Sequence, residues 1–99
     1  MLDITLGTDG TVVLAGRFDA AQAGRAQTFL DGVERPRVID CAGLDYVSSA
    51  GLGVLLHTHK RALASGGGLE LVNVNKHIVD ILRYSALDRV FRIEPATGP

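Results

Sequence analysis

The stretch that decides the fold is RVIDCAGLDYVSSAGLGVLLHTHKRALA, residues 37–64. Its first part includes Val38 and Ile39, then Cys41, a pattern that is typical of a buried β-strand. From residue 50 to 64 the apolar residues recur at helical spacing, and the glycine-rich segment that follows ends the predicted helix. We therefore expect a strand that passes directly into a helix, with Ser48 and Ser49 at the junction.

A β-hairpin and a helix are predicted before this unit. The segment LDITLG alternates apolar and polar residues from position 2 to 6, and TDG at 8–10 is a turn signal. The segment TVVLAG at 11–16 indicates the second strand of the hairpin. Asp19 then supplies an N-cap for a helix, which ends before the segment ERPR.

Two further strands and a third helix are predicted after it. The segments LELVNV at 69–74 and RVFRIE at 89–94 have strand patterns, and Asn75 can cap a helix between them. The residues expected to face the core are Ala23, Ala26, Leu30 and Val33 in the first helix, Leu52, Leu55, Leu56, His59 and Leu63 in the second, and Ile78, Ile81, Leu82 and Leu87 in the third.

The predicted order of elements is β-β-α-β-α-β-α-β, which defines an α/β protein. Strands that are joined by helical crossovers are expected to be parallel neighbours, whereas the two strands of the hairpin are antiparallel. We therefore predict one domain, residues 1–99, with a mixed sheet of four to five strands and helices packed on it.

The composition narrows the classes of function. Ten Lys and Arg residues balance eleven Asp and Glu residues, and pairs such as Lys60 and Arg61 are expected to be solvated, so we expect no nucleic-acid partner. Asp3 stands where a signal peptide would be basic, and no apolar run reaches the roughly 18 residues of a membrane span. These features predict a cytoplasmic protein that does not insert into membranes. Cys41 is the single cysteine and allows no disulfide within the chain.

No set of residues has the spacing of a catalytic or metal site. His57 and His59 are two positions apart on the predicted helix, so they point in different directions. The segment SSAGLG lacks the nucleophile-elbow pattern, and GLG at 51–53 lacks the third glycine of a dinucleotide fingerprint. We therefore predict that the protein is not an enzyme and needs no metal or cofactor. His77, like the other histidines, is expected to be structural or exposed.

The two serines at the junction allow two interpretations. As an N-cap, a serine accepts the N–H of the second or third helical residue, which stabilises a helix by about 0.5–2 kcal/mol relative to Ala. The same helix start has unpaired N–H groups that favour negative charge, so it would tolerate a phosphate on Ser48 or Ser49. A partner docked over the helix start would be repelled by that phosphate. The residues alone leave a plain cap and a binding switch open.

Three stretches of the chain carry a resemblance to a known family. They include GRFD at 16–19, the pattern DCAGLDYVSSAGL at 40–52, and the apolar spacing of IVDILRYSAL at 78–87. Together they resemble the STAS domain, in particular the stand-alone bacterial anti-sigma factor antagonists. The resemblance extends from about residue 2 to 94, and it implies a sheet with helices mainly on one side.

The resemblance implies a function and partners. Antagonists of this family bind an anti-sigma factor that is also a serine kinase of the GHKL type, and binding frees the sigma factor. The kinase phosphorylates the antagonist on a serine at the start of the second helix, which ends the binding, and a phosphatase resets it. The antagonist itself is not an enzyme.

The resemblance also assigns roles to residues. Ser49 falls on the phospho-acceptor, and Asp19 falls on an acidic residue near it. Ser48 stands where the family has Asp, which makes it a second candidate acceptor. The residues expected to contact the partner are Asp19, Ser48, Ala50, Gly51, Leu52, Gly53, Leu56 and Lys60.

Other functions remain alternatives. STAS domains also serve as accessory subunits of ABC-transporter ATPases, as in bacterial phospholipid transport, or as parts of signalling assemblies, and Ser49 would then be a plain cap. Binding of a nucleotide or small ligand near Asp19 is a further alternative. Many members carry another C-terminal helix, which this chain is expected either to lack or to replace by a partner.

Overall fold

The computed structural model describes residues 1–96. Its strands are β1 (Leu2–Leu6), β2 (Val12–Phe18), β3 (Val38–Val47), β4 (Glu70–Val74) and β5 (Arg92–Pro95). Its helices are α1 (Ala20–Asp31), α2 (Ser49–Ala64), α3 (Lys76–Tyr84) and a short 3-10 helix at Leu87–Arg89. This order confirms the predicted sequence of strands and helices.

The strands form one five-stranded mixed sheet. Their order in the sheet is β1-β2-β3-β4-β5. β1 and β2 are antiparallel, and each later strand is parallel to its neighbour. The turn between β1 and β2 uses Gly10, whose φ of 88° favours glycine, and Asp9, whose Oδ1 accepts the N–H of Thr11 at 3.0 Å. The predicted hairpin is thereby confirmed.

One face of the sheet carries the core. Side chains alternate along each strand, so that in β1 Leu2 and Ile4 are buried while Asp3 between them is exposed. The buried residues of the strands pack in one cluster with those of all three helices, among them Leu30, Leu55 and Leu82. The helices therefore cover one face of the sheet, as the resemblance implied.

The predicted boundaries near the C-terminus are wrong by a few residues. α3 ends at Tyr84, because Ala86 adopts a left-handed φ of 60° that no helix continues through. Leu87 consequently lies in the 3-10 helix and not on the inner face of α3. That 3-10 helix delays the last strand, which begins at Arg92 instead of residue 89.

The inward face of α2 also differs from the prediction. Leu63 is 55% exposed, because the buried arc of the helix is centred on Gly51, Leu55, Thr58 and Ala62. An apolar pattern does not include glycine or threonine. The apolar residues alone therefore shift the predicted inward face towards Leu63. In α1, the predicted inward residue Val33 is buried but lies beyond the end of the helix.

Arg61 was predicted to be solvated, but it is half-buried and joins α2 to α1. Its Nη1 donates to the carbonyl of Leu30 at 3.0 Å, and its Nη2 donates to the carbonyl of Val33 at 3.3 Å. A cation at this place adds hydrogen bonds to carbonyls at the end of α1, where the helix dipole favours positive charge. Between residues 1 and 96, none of the helices combines the length and the apolarity that crossing a membrane requires.

Candidate functional site

Ser48 is the N-cap of α2 and fixes the junction between strand and helix. Its N–H donates to the carbonyl of Phe18 at the end of β2, at 2.9 Å. Its Oγ accepts the N–H of Gly51 at 3.3 Å, and its carbonyl accepts the N–H of Leu52 at 2.8 Å. The hydroxyl of Ser48 is therefore occupied by the capping role that the sequence predicted for a serine here.

Ser49 is the first residue of α2, and its side chain is exposed. Within residues 1–96 its hydroxyl makes no hydrogen bond, and the N–H groups of Ser49 and Ala50 have no acceptor. These N–H groups lie at the positive end of the helix dipole. A hydroxyl that is free and exposed thus lies beside donors suited to an anion.

Gly51 allows the helix start to approach the sheet closely. A Cβ at this position would lie 2.8 Å from the carbonyl oxygen of Phe18 and 2.8 Å from Cγ2 of Val47. Both neighbours are fixed in the interior, so a larger residue would displace the start of α2. The glycine therefore determines where Ser48 and Ser49 stand relative to the strand ends.

An apolar groove of about 350 Å³ begins at the serines. We call it the serine groove; it is lined by Tyr46, Val47, Ser48, Ser49 and Leu52 on one side and by Ile81, Tyr84 and Ser85 of the α3 end on the other. Tyr84 is 93% exposed, which is unusual for a large aromatic side chain with no contact role. The guanidinium of Arg17 stacks over the Tyr46 ring, 4.5 Å from its centroid.

The other predicted contact residues divide into two groups. Gly53 and Lys60 are exposed and Leu56 is half-buried, and their spacing from Ser49 places them on one stripe of α2. We call Ser49, Gly53, Leu56 and Lys60 the α2 stripe. Asp19 instead caps its own helix, since its Oδ1 accepts the N–H of Ala21 at 3.1 Å, and it does not line the serine groove.

Sequence reasoning missed the part of the groove that α3 contributes. Ile81 was expected only as a core residue, and Tyr84 and Ser85 were not expected at the site at all. The approach of the α3 end to the α2 start is a tertiary contact, and no local pattern encodes it. The one available signal is an aromatic residue at an outward helical position, where a polar residue is typical.

The histidines have the structural or exposed positions that were predicted. Nδ1 of His59 accepts the N–H of Leu69 at 3.0 Å, and its ring packs edge-on against Phe91 with centroids 5.2 Å apart. His57 lies 3.7 Å from Asp31 at the surface, and His77 is exposed. Across residues 1–96, no three His, Cys, Asp or Glu residues cluster as metal ligands would.

Cys41 is buried in the core, as its place in the predicted strand indicated. Burial, with a smaller contribution from the charge of Asp40, raises the pKa of its thiol to about 12. The thiol therefore remains protonated at neutral pH and is a poor nucleophile.

The chain matches a family model described as "Mlab, STAS domain" over residues 4–94. A STAS-domain containing protein of Pseudomonas aeruginosa is 32% identical over 93 residues, which cover 88% of this chain and 89% of that protein. BtrV of Bordetella bronchiseptica, provisionally named an anti-sigma factor antagonist, is 32% identical over 91 residues, which cover 86% of this chain and 78% of BtrV.

Two solved structures of SpoIIAA share the fold. The unphosphorylated form of this anti-sigma factor antagonist has a TM-score of 0.65 at 19% identity, covering 91% of this chain and 97% of that one. The phosphorylated form, from Bacillus, has a TM-score of 0.70 at 19% identity, and the match covers 99% of this chain and 93% of that one. The chain belongs to the STAS-domain family, as its motifs indicated. The anti-sigma factor antagonists of this family are binding proteins and not enzymes.

Proposed function

We propose that this chain is an anti-sigma factor antagonist switched by phosphorylation of Ser49. It binds a GHKL-type serine kinase that sequesters a sigma factor in the cytoplasm, and binding releases the sigma factor. The kinase then phosphorylates Ser49, the complex dissociates, and a phosphatase restores the binding form. The serine groove and the α2 stripe form the docking surface.

The unequal environment of the two serines carries this proposal. The hydroxyl of Ser48 is engaged by the N–H of Gly51, whereas the hydroxyl of Ser49 is exposed and makes no hydrogen bond in the described part of the chain. A kinase needs an accessible hydroxyl that can reach the γ-phosphate of ATP. Ser49 meets this requirement without disturbing the cap, and Ser48 does not.

A phosphate on Ser49 would change the docking surface without unfolding the protein. It would bring a charge of about −1.5 to −2 to the edge of an apolar groove, where a partner would have to desolvate it. The helix itself would be stabilised, because the phosphate lies at its N-terminus. SpoIIAA, whose fold the chain shares, is known in both a phosphorylated and an unphosphorylated form, which supports the same behaviour here.

Binding assays with two variants test the docking surface. The cognate kinase is identified as a GHKL-type kinase encoded beside this gene, and its affinity is measured by calorimetry. Ser49→Asp and Tyr84→Ala should each weaken binding by about tenfold or more, since an aromatic anchor and a charge at its edge dominate such interfaces. Leu63→Ala is the matched control, because Leu63 is an exposed apolar residue of α2 outside the groove. Unchanged binding by Ser49→Asp would refute the switch.

A second candidate is an accessory subunit of an ABC transporter that is bound constitutively. Ser48 in place of the family's Asp favours it, because the residue beside the acceptor differs from the usual kinase recognition pattern. The groove would then dock an ABC-transporter ATPase, and Ser49 would need no phosphate. A pull-down that retains an ATPase with wild type, Ser49→Ala and Ser49→Asp alike would establish this role and exclude the first.

A further inference from the structure

A second concave site lies at the opposite end of the sheet from the serines. The serines follow the ends of β2 and β3, whereas this cavity lies where β3, β4 and β5 begin. Its volume is about 380 Å³. We call it the arginine cavity; it is lined chiefly by Arg35, Arg37, Arg92, Asp9, Glu70 and the glycines at 67–68.

Three exposed arginines line this cavity, from two segments of the chain. Arg35 and Arg37 come from the loop before β3, and Arg92 is the first residue of β5. In residues 1–96 none of the three guanidinium groups has a carboxylate within 4.0 Å, and none donates a hydrogen bond to another residue. The chain has a net charge of −1, so three arginines without partners around one cavity are a local excess of donors.

Two residues with carboxylates, Asp9 and Glu70, also line the cavity. The Thr11 N–H donates to Oδ1 of Asp9 at 3.0 Å and lowers the pKa of that carboxyl, so it is ionised at neutral pH. Glu70 begins β4 directly between Val38 of β3 and Arg92 of β5, and it is half-buried. These carboxylates can accept hydrogen bonds from hydroxyl groups, which a bare phosphate ion does not offer in number.

The loop after α2 adds backbone donors to the same cavity. Gly67 and Gly68 have φ values of 153° and 79°, and their N–H groups have no acceptor in residues 1–96. A Cβ at position 68 would lie 2.8 Å from Cε1 of His59, so the glycine lets the loop pack directly on that buried ring. Gly68 is therefore held against the core, next to Gly67.

We propose that the arginine cavity binds the phosphate monoester of a small polyhydroxylated molecule, such as a sugar phosphate. The arginines and the glycine N–H groups hold the phosphate, and Asp9 and Glu70 accept hydrogen bonds from the hydroxyl groups. Guanidinium groups bind phosphate in a bidentate manner, and a cavity of this volume is of the size that encloses a small ligand.

The same observations disfavour larger anionic partners. A nucleic acid or an acidic peptide would bring negative charge to the whole rim, including Asp9 and Glu70, where it would be repelled. A nucleotide base would find no aromatic side chain among the lining residues on which to stack. A ligand with one anionic group and several hydroxyls matches the charges that the cavity presents.

Titration of the labelled protein with ribose 5-phosphate tests the proposal. The amide signals of Gly67 and Gly68 in ¹H–¹⁵N spectra should shift saturably, more tightly with ribose 5-phosphate than with inorganic phosphate or ribose. Arg92→Gln should weaken this binding by about tenfold. Arg89→Gln removes the same charge from an exposed residue outside the cavity and should leave binding unchanged. Glu70→Gln should reduce the preference for ribose 5-phosphate over inorganic phosphate.

Several results would overturn the assignment. These are the absence of saturable shifts at Gly67 and Gly68, equal weakening by Arg92→Gln and Arg89→Gln, or tighter binding of a polyglutamate peptide or of guanosine monophosphate than of ribose 5-phosphate. Variants of Ser49 should bind the sugar phosphate as wild type does, so failure of this proposal and failure of the phosphorylation switch are separate outcomes.

Discussion

Polar side chains occur both at the beginning of α2 and in its second half, but the two regions differ in how these side chains are hydrogen-bonded. In the second half each polar side chain that reaches the interior has a partner: Thr58 donates to the Val54 carbonyl at 2.9 Å, and His59 accepts the Leu69 N–H. At the beginning Ser48 is paired in the same way, whereas Ser49 is exposed and makes no hydrogen bond in residues 1–96.

This difference separates polar residues that are paired in the fold from one that is not. A buried polar group must be paired, because an unpaired one costs about 1–3 kcal/mol, and Thr58 and His59 meet this requirement. Pairing does not explain Ser49, whose hydroxyl makes no hydrogen bond within residues 1–96. Its hydroxyl is accessible to another molecule, and the proposed switch gives it a role.

The largest expected effect is that of removing the paired imidazole. His59→Ala leaves the Leu69 N–H without an acceptor and opens a cavity beside Phe91, so the free energy of unfolding should fall by roughly 3 kcal/mol. His59→Asn supplies an acceptor near the position of Nδ1 and should recover part of the loss. Urea denaturation measures both variants. A loss below about 0.5 kcal/mol, the range of surface substitutions, would show that His59 is not structural.

The next effect concerns the buried thiol of Cys41. Because its pKa rises to about 12 from 9.0 on folding, the protonated form is favoured in the folded state. This stabilisation is complete below pH 9 and is lost as the pH rises from 9 towards 12, at about 1.4 kcal/mol per pH unit. The difference in unfolding free energy between wild type and Cys41→Ala should therefore shrink between pH 8 and pH 10. A difference independent of pH over that range would contradict the burial of the thiol.

A smaller effect is expected from the cap. Ser48→Ala removes the acceptor of the Gly51 N–H and should lower the unfolding free energy by about 1 kcal/mol. Ser49→Ala should change it by less than about 0.5 kcal/mol, because the Ser49 side chain is exposed. Thermal or urea denaturation of the pair checks both values. Equal losses in the two variants would remove the distinction on which the site rests.

The sequence predicts the elements of this fold well because each has a local cause. The capping residues Asp19 and Asn75 and the Asp-Gly turn all act where they were expected. The predictions fail where the cause is tertiary. Arg61 is paired with carbonyls about thirty positions away, and the buried arc of α2 contains Gly51, which no apolar pattern reveals.

The candidate site was predictable to the same degree. The two serines lie in one continuous motif, and the other residues of the α2 stripe were expected from the helix that follows it. The opposite wall of the serine groove, with Tyr84, comes from α3 and depends on how that helix packs. The resemblance already ranked Ser49 before Ser48, and the structure adds the hydrogen bond from the Gly51 N–H that engages the hydroxyl of Ser48.

Mapping phosphate after incubation with the cognate kinase and ATP tests the central claim most directly. Mass spectrometry of wild type and Ser48→Ala should place the phosphate on Ser49, and Ser49→Ala should carry none. Denaturation curves recorded on the same samples confirm that each variant is folded. Phosphate on Ser48 of the wild type, or none on either serine with a kinase that is active on a control substrate, would contradict the account.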